Sequence, residues 1–415
     1  MENRKMVVLQ SHLDMVHQKN SDTEFDFDTQ GIEMLIDGDW VTANGTTLGA
    51  DNGMGVAAIM SLLESTDIAH PALEALFTID EETGMTGAFG LEAGVLKADI
   101  LLNLDTEDDD EFSIGCAGGI DTNTKYNYTE EPSSGIAYTI TVKGLKGGHS
   151  GMDIHLQRGN ANKIMNRLLW NCGAYELRIA EINGGSLRNA IPRESFATIT
   201  VKDESYLQEF ESRVQEIKDE FSVSDGGLII EITAVDLPKK VMSKRDVLNL
   251  TNAIYALHNG VYRMSMTIEG LVETSSSLAR VIVKDGEFNT QSLQRSSLET
   301  AKMDIANTVG ASFQLMGCDV EHTGSYPGWD PNSNSEILDL MKGKYKALYN
   351  EDPKVMACHA GLECGILGEI YPNWDMISFG PTIRNPHSPD EKVKIDTVVK
   401  FWTLLKDVLK DIPVK

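Results

Sequence analysis

Three short apolar runs stop at acids or imidazoles. Val7–Ser11 runs into His12, Leu73–Asp80 into Glu81 and Glu82, and Ile100–Asp105 ends on Asp105 itself. A helical pattern, Gly53–Glu64, lies between the first run and the second. Strands separated by helices predict an α/β sheet with parallel strands. Sheets of that kind bind ligands beyond the carboxyl ends of their strands. The chain therefore predicts one edge lined by His12, Glu81, Glu82 and Asp105.

With 415 residues, 41% of them hydrophobic, the chain is long enough for a large core and two domains. It carries 63 acidic against 36 basic side chains, a net charge of −27. Nothing in that balance would neutralise phosphates, so nucleic acid is excluded as a partner. No apolar stretch approaches the roughly 20 residues of a membrane span, and the N-terminus lacks the apolar core of a signal peptide. The five cysteines form no framework, which predicts reduced thiols and a cytoplasmic location.

The α/β pattern of residues 1–133 changes near residue 134. From there to about 311 two rounds of strand and helix follow one another, predicting an inserted α+β domain of two related halves. Residues 312–415 return to the first pattern, with helices at Ile337–Tyr349 and Val393–Leu409 and a strand at Met376–Phe379. The expectation is one catalytic domain, 1–133 and 312–415, interrupted by a lid, 134–311. That return would carry His387, in the stiff loop NPHSPDE, to the first cluster.

Each of these residues has an ordinary explanation when taken alone. His12 can be a satisfied strand-end histidine, Asp51 a helix N-cap, Glu81–Glu82 an exposed loop, and the acidic run 107–111 a solvated one. Together they suit a pair of divalent metals. Asp51, in LGADNG, has two oxygens with which to bridge ions ~3.5–4 Å apart. Asp14, two residues after His12, would steady it. One of the two glutamates can bind metal while its neighbour acts as general base. Three carboxylates and a hydroxide balance two divalent cations. Two nitrogens with carboxylate oxygens suit zinc, and manganese or cobalt also fit.

These segments, with CAGGID (116–121), KGLKGGHSG (143–151), LRNAIPRE (187–194), YPGW (326–329), HAGLECG (359–365) and FGPT (379–382), resemble the aminoacyl-histidine dipeptidases. That group lies within the two-zinc exopeptidases that include glutamate carboxypeptidase and aminoacylase. The resemblance implies a zinc-exopeptidase-like catalytic domain with a mostly parallel central sheet. It implies one metal on His12, Asp51 and Asp105, and the other on Asp51, Glu82 and His387. Glu81 would be the general base acting on a metal-bridging water, with Asp14 supporting His12. In the lid, His149 would polarise the scissile carbonyl, Asn189 and Arg295 would contact substrate, and backbone at Gly361 would approach it. Arg295 suits a free carboxylate. The implied substrates are Xaa-His and other unblocked dipeptides. Whether the chain works alone or as a homodimer stays open, and with it whether His149 serves its own or a partner's site.

Members of the group begin with a further segment, on the order of 30 residues or more, before the strand carrying His12. Its absence here predicts an exposed strand edge and puts stability in question. Two other functions compete. One is an N-acyl amino acid deacylase using the same site. The other is an inactive, N-terminally truncated remnant.

Overall fold

A computed structural model describes residues 3–20, 23–332 and 334–415. The chain divides into two compact units. The first takes the chain up to Cys116, Trp329–Cys358 and Leu362–Lys415, and the second takes Ala117–Gly328 and His359–Gly361.

The first unit is built on a six-stranded sheet. Its spatial order is Lys354–Cys358, Glu111–Cys116, Asp375–Ser378, Ile100–Asn103, Val7–His12 and Leu73–Thr78. Neighbours are parallel except Glu111–Cys116 and Asp375–Ser378. Val7–His12 has a parallel partner on each side and is buried along its whole length. Val7, Val8 and Leu9 are fully removed from water, each stabilising the fold by about 1.5–3 kcal/mol. His12, at the end of the same strand, is 1% exposed. The helix Ala50–Glu64 packs against this strand and buries Ala58, Ile59 and Leu62. Gly55 permits the approach, since a Cβ there would lie 2.7 Å from Ser11 Oγ and from the Leu104 carbonyl. The closing helix Ile395–Lys410 buries Phe401, Leu404, Leu405, Val408 and Leu409, the stripe of a one-sided helix.

A second, four-stranded sheet joins distant parts of this unit. Its order is Met34–Asp37, Trp40–Ala43, Lys392–Lys394 and Ile383–Arg384. The pairing of Lys392–Lys394 with Trp40–Ala43 fastens the loop carrying His387 to an early part of the chain.

The second unit carries a nine-stranded antiparallel sheet. Eight strands run Ile229–Val235, Ile136–Lys143, Ser195–Val201, Arg178–Gly184, Val272–Lys284, Glu287–Ser296, Gly118–Asn127 and Asp319–Tyr326, with Gly260–Met264 pairing Val272–Lys284. The first four form one half and the last four another. Numbered by chain position within its half, each set lies in the order four, one, three, two from its outer edge. The halves meet at Arg178–Gly184 and Val272–Lys284. The helices Ala161–Leu169, Tyr206–Glu220, Lys244–Ala256 and Glu299–Gln314 contribute to one shared core.

The boundaries differ from those read in the sequence. The unit's main segment runs from Ala117 to Gly328, rather than from 134 to 311, and the unit also takes in His359–Gly361. Gly118–Asn127 and Asp319–Tyr326 pair with each other and complete its sheet, a long-range pairing that local pattern does not carry.

Candidate metal centre

All the metal-ligand candidates lie in the first unit, at or just beyond strand ends, in the first turn of a helix or in a loop. His12 Nδ1 sits 3.0 Å from the Asp14 carbonyl, and donation there leaves the Nε2 lone pair facing outward. That Nε2 is 3.2 Å from Asp51 Oδ1 and 3.4 Å from Asp105 Oδ1. Asp14 thus steadies His12 chiefly through its backbone, its carboxylate lying 3.6 Å away. The carboxylate instead accepts from the backbone N–H groups of Glu81 and Glu82, at 3.2 and 3.1 Å, and holds the glutamate pair in place.

Asp51 is no helix cap. The cap position belongs to Gly49, and Asp51 has φ −87°, ψ 103° inside the first turn of Ala50–Glu64. Its Oδ2 lies 3.3 Å from His387 Nε2, which also lies 2.9 Å from Glu82 Oε2. One carboxylate therefore faces two imidazoles from opposite ends of the chain. Asn52, the next residue, bonds Asp105 with its amide nitrogen and accepts from the Ser11 hydroxyl.

Among the described residues, three sets of donors come within 4.8 Å of one another: His12, Asp51 and Asp105; Asp51, Glu82 and His387; and His12, Glu81 and Glu82. The first two sets are those the family resemblance implies for the metals, and the third adds the expected base. The donors fit divalent cations, being imidazole nitrogens and carboxylate oxygens. Glu82 Oε1 is also buried without a hydrogen-bond partner among the described residues.

The electrostatics point the same way. Burial works against charge on His12, yet its bonds to Asp105 and Asp51 prevail and raise its pKa to about 12. Bonds to Asp51 and Glu82 raise His387 to about 10. Burial, then the neighbouring Asp105, lifts Glu81 to about 9. Burial with Asp51 and Asp105 lifts Glu107 to about 8. So many carboxylates in one place need positive charge, which protons or metal ions supply in competition.

The run after Asp105 is not a merely solvated acidic loop. Asp109 pairs with Lys400 and accepts from Thr382, Asp108 pairs with Arg384, and Asp110 with Lys354 at 3.0 Å. The run ties the strand of Asp105 to segments near the C-terminus.

Glu363 and Glu391 carried no assigned role, although both lie in quoted motifs. Glu363 is 1% exposed and accepts from Gln10 Nε2 and Thr78 Oγ1, both at 2.6 Å. Burial raises its pKa to about 7. Membership of those motifs was the available signal.

The four remaining candidates lie in the second unit. His149 Nδ1 accepts from the backbone N–H groups of Gly151 and Met152, at 3.2 and 3.0 Å. Burial and the nearby Arg295 lower its pKa to about 4. It is therefore neutral near pH 7, with its proton on Nε2. Arg295 is 4% exposed and donates from Nη1 to the Tyr326 hydroxyl at 2.7 Å. The absence of a side chain at Gly119 makes room for that ring, since a Cβ there would lie 2.4 Å from it. His359, unassigned from sequence, places Nε2 2.7 Å from Ser275 Oγ. Gly361 belongs with His359 in this unit. Asn189 is exposed, and its carbonyl accepts from Ser150 N at 2.8 Å.

An α/β unit with this donor set at its strand ends is that of a metal-dependent hydrolase. The chain belongs to peptidase family M20/M25/M40, whose model matches residues 8–411. It is 44% identical over 421 residues to the cytosol non-specific dipeptidase of Escherichia coli K12, covering 100% of this chain and 87% of that protein. It is similar to the crystal structure of aminoacylhistidine dipeptidase from Vibrio alginolyticus, with a TM-score of 0.92 and 46% identity, over 100% of this chain and 86% of that one. An aminopeptidase from Bacillus cereus, at 14% identity and TM-score 0.54 over 99% of this chain and 82% of that one, shares the fold. Among the described residues no helix is long and apolar enough to cross a membrane.

Proposed function

We propose that this protein is a metal-dependent dipeptidase that hydrolyses Xaa-His and other unblocked dipeptides. The observation that carries the reading is Asp51, whose two oxygens face His12 and His387 at 3.2 and 3.3 Å. His12, Asp51 and Asp105 would hold one divalent ion, and Asp51, Glu82 and His387 the other. Zinc is the assignment that two imidazoles and three carboxylates favour. Such ions polarise the peptide carbonyl and make water acidic enough to attack it near neutral pH.

The protein's own groups do the rest. Glu81, held beside the ligands by the Asp14 carboxylate through its backbone, takes the proton from the attacking water. It returns that proton to the leaving amine. His149 donates from Nε2 to the developing oxyanion. Arg295 binds the free C-terminal carboxylate. Asn189 and the backbone at Gly361 complete the substrate contacts. The names of the two similar dipeptidases support the substrate class, and that of the Escherichia coli protein supports a cytoplasmic location.

Metal analysis of the purified protein, run beside hydrolysis of β-alanyl-histidine, Xaa-His dipeptides and N-acyl amino acids, tests the reading. Two metals per chain with dipeptide cleavage are expected. Preferred cleavage of acyl amino acids would make it a deacylase, and protein without metal or turnover would make it a remnant.

A further inference from the structure

Glu391 closes the NPHSPDE segment four residues after His387 and is 2% exposed. Among the described residues its side chain forms no hydrogen bond with the candidate ligands' donor atoms. It accepts instead from three backbone N–H groups of the loop that presents Asp51. Oε2 takes Leu48 N at 2.7 Å and Gly49 N at 2.9 Å, and Oε1 takes Asp51 N at 3.1 Å. Glu391 is itself held, its carbonyl accepting from Thr42 Oγ1 at 3.0 Å and its N–H donating to the Ser388 carbonyl at 2.9 Å. Asp51 sits in non-helical backbone at the start of a helix, so the first-turn N–H groups there need an acceptor from elsewhere. A carboxylate taking three such bonds fixes the loop more tightly than any single neutral contact.

We infer that Glu391 is a positioning residue that sets Asp51 between the two imidazoles. One short segment then supplies His387 as a ligand and also holds the loop of the shared carboxylate, which makes the two metal positions interdependent. The inference rests on the reading of Asp51 as a ligand common to both ions.

Glu391→Ala and Glu391→Gln in the full chain test it, with zinc affinity measured by chelator competition and unfolding of the metal-free protein followed in parallel. Loss of an outer partner of a metal ligand costs about 10–100-fold in metal affinity, and that loss is expected for Glu391→Ala. Glu391→Gln keeps one acceptor oxygen and should fall between it and wild type. A bond that only stabilises the loop would lower metal-free stability and leave zinc affinity of the folded protein unchanged. Glu391→Ala binding both ions as tightly as wild type overturns the inference. If Glu391→Ala does not fold, wild-type affinity in Glu391→Gln overturns it. Wild-type protein that takes up fewer than two zinc ions removes the shared-ligand reading and this inference with it.

Discussion

Arg295 Nη2 and His149 Nε2 lie 3.5 Å apart, and neither accepts from the other. The guanidinium has only donors. The imidazole has committed its lone pair at Nδ1 to two backbone N–H groups, so its other nitrogen bears the proton. Two donors side by side, one of them charged and both largely removed from water, have the chemistry to suit an anionic or strongly polarised oxygen.

Replacing Arg295 by Met should separate carboxylate recognition from chemistry. A hydrogen bond to a charged group is worth about 1.5–3 kcal/mol, so KM for a free dipeptide should rise about 10–100-fold, with kcat changed far less. The same dipeptide carrying a C-terminal amide should show no such loss. An equal loss on both substrates would remove the carboxylate from the role of Arg295.

Glu81→Gln keeps the shape of the base and removes its ability to take a proton. Turnover should drop about 10²–10⁴-fold, while metal content stays at the wild-type level. Near-normal turnover in a fully metallated variant would show that another group moves the proton.

Gly151 is constrained by its neighbours. A Cβ at this position would lie 2.0 Å from the His359 carbonyl oxygen and 3.0 Å from Arg295 Nε. Gly151→Ala should therefore lower stability by about 1–3 kcal/mol through overpacking, measured by urea unfolding. A stability equal to wild type would mean that the His359 segment moves aside freely.

His359 gives the fold an acid-sensitive element. Burial, then the charge of Arg295, lowers its pKa to about 3, so the native state keeps it neutral where the unfolded chain would protonate it. The unfolded state binds more protons between its ordinary pKa of about 6.5 and the native value. Stability from this residue is complete above that range and declines as pH falls through it. Between pH 7 and pH 5 the wild type should lose about 2 kcal/mol more than His359→Asn. Parallel unfolding curves at the two pH values for both proteins would contradict this.

Much of the candidate centre was legible because His12, Glu81, Glu82 and Asp105 follow apolar strands directly. Val7–His12 predicts its own burial, and the residue ending such a strand must stand at the sheet's edge. The motif likeness then named roles for residues that periodicity leaves neutral, among them His149 and Arg295. Asp14 lies beside His12, but its carboxylate turns toward Glu81 and Glu82. Spacing gives the side of a strand and not the partner a side chain selects.

The sequence by itself determined the α/β class, the strand-end location of His12, Glu81, Glu82 and Asp105, and the interruption of one sheet by another. Those properties rest on local hydrophobic period and on which residue follows each run. Only the tertiary structure decided that Gly118–Asn127 and Asp319–Tyr326 complete the second sheet, that the acidic run 107–111 is bound to Lys400, Arg384 and Lys354, and that Glu391 holds the Asp51 loop. Each of these joins residues tens to hundreds of positions apart. Such contacts are selected by packing and by the need to satisfy buried charge, and neither leaves a periodic mark on the chain.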